Sequence, residues 1–318
     1  MNNTYLGVDI GGTAVKLGLI TGDGNLLFTH TSPVNFDKYK TPIMKTVLRE
    51  IDCFLSKNKL VSSDLLGIGV SATGQIDPKS GIVTGSAGHI SNWLLTPVKD
   101  LLENRYHLPV SVANDANCAI IGEHWKGCAI GFSDIIMITI GTGIGGGIIC
   151  NGRLLSGHTG IAGELGHFSI QKDGTMCSCG NIGCYEQYAS ASALVKAVRE
   201  ALPSFHSYSK TDPDQINGKF IFDQVKAGSI EYQRVVDNWI DNIAMGLTGL
   251  IHIFNPELVV IGGGISQQEE LLIVPLRERV LSKIMPGFRK DLQFRSAKLD
   301  NNAGLIGAVR NLIEKGAA

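Results

Sequence analysis

Three thiols fall within eight residues, at Cys177, Cys179 and Cys184, and an imidazole stands ten residues before the first of them at His167. One nitrogen and three sulfur donors suit a tetrahedral Zn²⁺. Cys-x-Cys-x₄-Cys differs from the usual Cys-x₂-Cys knuckle, so spacing favours zinc but leaves free thiols open. A disulfide is disfavoured by the odd number of clustered thiols and by the lack of any export signal. Gly180 and Gly183 permit the tight reversal that three ligands in so short a stretch require. Four protein donors leave no open position, so such an ion would serve the fold. The ring nitrogen of His167 turned away from the ion would be fixed in tautomer and direction, ready to hydrogen-bond a ligand. Glu164 and Glu186 would be drawn together by the same clip, although each alone reads as a solvated surface charge. His158 has no comparable context and reads as structural.

Glycines supply the second chemistry. In LGVDIGGTAVKLGLI they lead into an alternating β-branched stretch. Dinucleotide and P-loop fingerprints instead open a helix on the phosphates, so this is a hairpin tip. Asp9, Gly11, Gly12 and Thr13 stand at its crest. Glycine lets backbone N–H groups approach phosphate oxygens, Thr13 adds a hydroxyl, and the Asp9 carboxylate suits a hydrated Mg²⁺. By itself this is better read as an ordinary tight hairpin. A second run, Gly141-Thr142-Gly143-Ile144-Gly145-Gly146-Gly147, carries five glycines between two apolar strands, more than a hairpin needs. A third, Gly262-Gly263-Gly264, follows Val259-Val260-Ile261 and precedes an amphipathic helix. Three such turns, each just after an apolar strand, point to a nucleotide triphosphate lying across a cleft.

A carboxylate able to accept a hydroxyl proton is the remaining requirement for phosphoryl transfer to an alcohol. Asn114 and Asp115 stand where a short strand meets a helix. From residue type alone a helix N-cap is the favoured reading, since Asn and Asp are preferred there.

The elements that must hold these groups follow from apolar spacing. Residues 5–30 and 135–157 each read as strand, Gly-Thr turn, strand, Gly/Asn turn and strand, which resembles a duplication. Helices are expected at Pro42–Lys57, Pro97–Tyr106, 116–125, Ala191–Leu202 and Ile230–Phe254, with two more closing the chain. Further strands are expected at 65–72, 110–114 and 258–266. This order implies α/β, two related domains flanking a cleft. The boundaries are set at 1–117 and 118–302, with the last helix, 303–318, packing back on the first domain.

At this point the sequence resembles the ROK sugar kinases, the family of bacterial glucokinases and of N-acetylmannosamine, β-glucoside and fructose kinases. DIGGT, NDAN, GTGIGGG, GELGH, CSCGNIGCYE and IGGG occur in the family's order and at similar spacings, over almost the whole chain. The resemblance implies an actin/hexokinase-like (RNase H-like) fold and transfer of the γ-phosphoryl of ATP to a sugar hydroxyl, foremost O6 of glucose. It implies Asp115 as catalytic base, reversing the preference for a cap, with Asn114, Glu164, His167 and Glu186 gripping the sugar and Gly74 and Gln75 lining its wall. Lys16 joins the three glycine turns as a nucleotide contact. ATP, Mg²⁺ and a structural Zn²⁺ are the implied cofactors, and a homodimer is typical of the family. Many members carry a Pro-Asn-Leu/Ile-Pro run before the tryptophan. Here Ala87-Gly88-His89-Ile90-Ser91-Asn92-Trp93 stands instead, which leaves the acceptor open among glucose, N-acetylmannosamine and β-glucosides.

Composition excludes other classes. The 318 residues carry 44% hydrophobic and 18% charged side chains and a net charge of −1, which favours neither nucleic acid nor an anionic membrane. No window is long and apolar enough for a membrane span, and no signal peptide is evident, so a cytoplasmic protein is expected. The same family includes sugar-responsive repressors with a helix-turn-helix ahead of the first glycine turn. Only eight residues precede Asp9, so the regulator is disfavoured, and the intact DIGGT turn and Asp115 disfavour a catalytically silent sugar binder. Cys53, Cys118, Cys128 and Cys150 read as core filler.

Overall fold

The computed structural model describes residues 3–85, 90–201 and 215–316; His89 and Leu202 lie outside them. In chain order the elements are β1 (Thr4–Ile10), β2 (Ala14–Thr21), β3 (Leu26–Pro33), α1 (Ile43–Lys57), β4 (Ile68–Ala72), β5 (Gln75–Ile76), β6 (Val83–Gly85), α2 (Val98–Tyr106), β7 (Val110–Asn114) and α3 (Asp115–Lys126). They continue with β8 (Ile135–Ile140), β9 (Ile144–Cys150), β10 (Arg153–Leu154), α4 (Glu186–Ala189), α5 (Ala191–Ala201), α6 (Gly218–Lys226), α7 (Ile230–Phe254), β11 (Leu258–Gly262), α8 (Val274–Lys283), β12 (Gln293–Ser296) and α9 (Ala303–Gly316).

Two compact units result: Met1–Gly131 with Leu154–Gly163 and Asn301–Ala318, and Phe132–Arg153 with Glu164–Asp300. Their sheets share one topology, β3-β2-β1-β4-β7 in the first and β10-β9-β8-β11-β12 in the second. In each, an antiparallel hairpin opens the sheet and two parallel strands extend it. Parallel pairing needs crossover helices, and buried strands need apolar residues on both faces; β4 and β11 are buried throughout.

In the first unit α9 lies on α3. The contact depends on glycines: a side chain at Gly122 would strike the Ala303 carbonyl, and one at Gly307 the Cys118 carbonyl. This packing carries the first unit on to Gly131, past the boundary set at residue 117, because α3 belongs with α9. In the second unit α7 buries Val235, Val236, Trp239, Ile240, Ile243, Leu247, Leu250 and Ile251, the three- and four-residue spacing of an amphipathic helix.

Several expectations are corrected. The strand expected at 258–266 ends at Gly262, because Gly263 takes φ +96° and turns the chain. β12, with the sequence QFRS and an exposed-and-half-buried pattern, has no apolar run to mark it as an edge strand. Of the four single cysteines only Cys118 is buried; Cys128 and Cys150 are half-buried and Cys53 is exposed. Cys53 falls on the solvent face of α1, whose opposite face buries Ile51, Phe54 and Leu55. Among the described residues no helix is long and apolar enough to cross a membrane.

Candidate active site and metal centre

Each unit holds its own set of the singled-out residues. In the first, the β1–β2 hairpin pairs Asp9 with Lys16 and Ile10 with Val15. Asp9 is therefore one position inside the strand, not at the crest, which is made by Gly11, Gly12 and Thr13. The Gly11 amide donates to the Ala14 carbonyl at 2.9 Å, closing the turn. On the other side β4 sets Ser71 beside Asp9, and Ser71 Oγ donates to Asp9 Oδ1 at 2.5 Å. A Cβ at Gly304, in the first turn of α9, would lie 3.1 Å from that carboxylate and from Ser71 Oγ. Burial pushes the Asp9 carboxyl above the usual carboxylate range, opposed by the Ser71 hydrogen bond and the Lys16 charge. Lys16 Nζ donates to the Asn301 carbonyl at 2.6 Å, and burial lowers its pKa against the pull of Asp9.

Asn114 and Asp115 divide the two roles that the sequence left between them. Asn114 is the N-cap of α3: its Oδ1 accepts from the Ala116 amide at 2.9 Å and the Asn117 amide at 3.2 Å. Its Nδ2 donates to the Gly74 carbonyl at 2.9 Å, tying the cap to the expected sugar wall. Asp115 is the first helical residue, half-buried, with Oδ1 accepting from the Ala116 amide at 2.8 Å. A negative charge at a helix N-terminus is favoured by the helix dipole, and this carboxylate stands in the first turn of α3. The wall is fixed by Trp93, fully buried, whose Nε1 donates to the Thr73 carbonyl at 2.9 Å. Gln75 lies over Gly85, its partner in the β5–β6 pair.

In the second unit only Gly141, Thr142 and Gly143 form the turn. Gly145, Gly146 and Gly147 belong to β9, where Gly146 leaves room for Leu165 of the GELGH segment, 2.5 Å from where a Cβ would stand. Gly166 abuts the Ile144 carbonyl for the same reason, and Gly263 abuts the backbone of Ile140. The second and third glycine runs thus adjoin, with Gly141 and Gly264 facing open space. A cavity of about 600 Å³ lies beside Thr142, lined by Ser192, Val195, Lys196 and Arg199 of α5 and by Asn217 and Gly218 at the start of α6.

The ligand atoms of His167, Cys177, Cys179 and Cys184 all lie within 4.8 Å of one another. His167 Nδ1 is 3.6 Å from Cys177 Sγ, and the sulfurs of Cys179 and Cys184 are 3.6 Å apart. Tetrahedral zinc with Zn–S near 2.3 Å separates its sulfurs by about 3.8 Å, so the donor set fits such an ion. Gly180 and Gly183 take φ +91° and +74°, the left-handed turn conformation expected of them. Burial raises the Cys177 thiol and pushes Cys184 up to about 12, while the Asn181 amide lowers Cys179. Glu186 stands at the edge of the cluster, Oε1 3.2 Å from Cys177 Sγ and 3.8 Å from His167 Nδ1. Glu164 is exposed at the start of the turn that leads to His167, whose amide donates to the Glu164 carbonyl at 3.1 Å.

A ROK family model matches residues 5–315. The chain belongs to the ROK family. A glucokinase from Thermotoga maritima is 37% identical over 314 residues, 98% of this chain and 97% of the relative. A β-glucoside kinase from Klebsiella pneumoniae is 33% identical over 95% of this chain and 93% of its own. The crystal structure of a ROK glucokinase from Streptomyces griseus, in complex with glucose and AMPPNP, superposes with a TM-score of 0.83 at 33% identity, covering 96% of this chain and 98% of that one. The mixed α/β architecture is that of the ROK kinases, the actin/hexokinase-like fold.

Two features of this ROK chain escaped the sequence. Ser71 reaches Asp9 only through parallel pairing of strands 62 positions apart, and strand partners are not written in local periodicity. The α5–α6 cavity needs Lys196 and Arg199 on the helix face toward Thr142; the four- and three-residue steps from Ser192 to Lys196 to Arg199 were a signal, but an exposed helix face shows the same pattern.

Proposed function

We propose that this chain is an ATP-dependent hexose kinase that transfers the γ-phosphoryl group to a sugar hydroxyl, with O6 of glucose as the leading acceptor. The single observation that carries the reading is the full-length likeness to a glucokinase structure holding glucose and AMPPNP. The β-glucoside kinase relative keeps β-glucosides as an alternative acceptor, with N-acetylmannosamine a further one.

Asp115 takes the proton of the attacking hydroxyl. The oxygen bonds the γ-phosphorus as the bond to the β–γ bridging oxygen breaks, and ADP leaves with that electron pair. Gly11, Gly12 and Thr13 in the first unit, and Gly141 to Gly143 with Gly262 to Gly264 in the second, are each turns suited to offer backbone amides and hydroxyls to phosphate, and Lys16 supplies a positive charge. The cavity beside Thr142 has the size and mixed lining for a nucleoside. Asp9, held by Ser71, is the group suited to a hydrated Mg²⁺, which when bound would neutralise the phosphates. Glu164 and Glu186 accept hydrogen bonds from sugar hydroxyls, which carboxylates do well, and His167 donates one from Nε2–H. His167, Cys177, Cys179 and Cys184 hold a structural Zn²⁺, with His167 Nδ1 on the cluster side and Nε2 available to the sugar. The chain acts as a homodimer in this reading.

A coupled ADP-release assay with a panel of sugars tests the proposal. Sugar-stimulated turnover, highest with glucose, is expected; ADP release no faster with any sugar than without would leave only a binding role.

A further inference from the structure

A Cβ added at Gly143 would lie 2.5 Å from Glu186 Oε2 and 3.7 Å from its Cδ, with no other atom within 4 Å. Gly143 has no positive φ, so the backbone does not demand glycine. Space does, and the space is filled by one carboxylate. Two residues earlier, Gly141 has nothing within 4 Å. The two glycines of one turn therefore face different things.

We propose that Gly143 is a positioning residue for the sugar: it seats the Glu186 carboxylate, so the turn read as a phosphate cradle also sets acceptor affinity. The inference rests on the sugar-kinase reading and on Glu186 as a sugar contact.

The backbone around Glu186 has little freedom to yield. Its amide donates to the Gly166 carbonyl at 3.0 Å. Tyr185 is fully buried, its hydroxyl donating to the Ile243 carbonyl at 2.9 Å and its ring lying against Gly246. The Ser190 carbonyl accepts from Trp239 Nε1 at 3.0 Å. The segment carrying Glu186 is thus fastened to α7 on both sides. Only the carboxylate end can move: Oε1 lies 3.2 Å from Cys177 Sγ and accepts from Gln187 Nε2 at 3.5 Å. A methyl group at 143 meets the far end of a side chain rather than backbone, so the carboxylate swings away while the fold stays. A substitution in a glycine turn would then weaken the sugar and spare the nucleotide.

Steady-state kinetics of the full chain test this, with glucose and ATP each varied for wild type, Gly143→Ala and Gly141→Ala. Losing a charge-assisted hydrogen bond to the sugar should raise the glucose KM of Gly143→Ala about 10-fold or more, with the ATP KM within about 3-fold of wild type. Gly141→Ala, whose methyl enters the open side, should do the reverse. In calorimetric glucose binding, adding Gly143→Ala to Glu186→Ala should change Kd less than about 2-fold, because residues acting through one contact are not additive. A shifted ATP KM with an unchanged glucose KM, an equal effect with and without Glu186, or loss of folded protein would each overturn the inference. A wild-type chain that turns over no sugar would overturn the kinase reading itself, a different outcome from an active wild type with an indifferent Gly143→Ala.

Discussion

The thiol of Cys177 and the carboxylate of Glu186 are in contact, Sγ to Oε1 at 3.2 Å. One is a donor of the metal cluster, the other the expected sugar carboxylate at the start of α4. The proposed clip and the proposed sugar grip are therefore a single local assembly, together with His167, for which both roles are proposed, one on each ring nitrogen.

Removing the ion should consequently damage sugar binding before it damages nucleotide binding. Elemental analysis of chelator-washed protein should find about one zinc per chain, and Cys184→Ala should lose it. The glucose KM of that variant should rise about 10-fold or more, the range for losing outer-shell support of a site. Less than about half an equivalent of zinc in the wild type would remove the clip from the account.

Asp115→Asn keeps the size and the place in the first turn of α3 and loses the base. Sugar binding should persist, and kcat should fall by about 10²-fold or more. Retention of a tenth of the wild-type kcat would take Asp115 out of this role.

How much of this was legible depends on whether a signal is local. The hairpin at Asp9 to Lys16, the helix at Ile230–Phe254 and the grouping of His167 with three cysteines all show in residue type and spacing, and the structure has them where they were expected. Contacts made across the sheet were not legible. Ser71 beside Asp9, Gly304 against both, and Glu186 against Gly143 join segments far apart in the chain. The glycines of β9 looked like one long turn because a strand glycine is normally a cost; they are explained only once Leu165 is seen to lie on Gly146. Asn114 took the cap, a division between adjacent residues of equal capping tendency that only coordinates decide.

Asp9 offers a trade between stability and activity. Its pKa is raised by burial above the ordinary 3.8, so between that value and the raised one the folded state binds more protons than the unfolded. Stability attributable to this group therefore falls as pH rises through that window, and above it the ionised buried carboxylate is a full cost. Asp9→Asn should melt higher than wild type at pH 7 without Mg²⁺, the gap closing as pH falls toward 3.8. Its kcat should be lower by about 10²-fold or more, the loss typical of removing one electrostatic stabiliser of a transition state. Calorimetry across pH checks the first part; a lower melting point at pH 7 would mean that Ser71 and Lys16 outweigh burial.

The glycine contact of α3 with α9 should be visible as stability. A methyl at Gly307 has to displace the Cys118 carbonyl, which is backbone. Gly307→Ala should cost about 1–3 kcal/mol, the usual range for overpacking, read as a lower urea midpoint with an unchanged slope. An unchanged midpoint would show that the two helices can part without cost.

The proposed reaction transfers a phosphoryl group to a sugar hydroxyl and not to water. Phosphorus NMR of ATP, Mg²⁺ and glucose incubated with the full chain reads this directly. ADP and glucose 6-phosphate should appear in equal amounts; ADP accompanied by inorganic phosphate, or no consumption of ATP, would rule the transfer out.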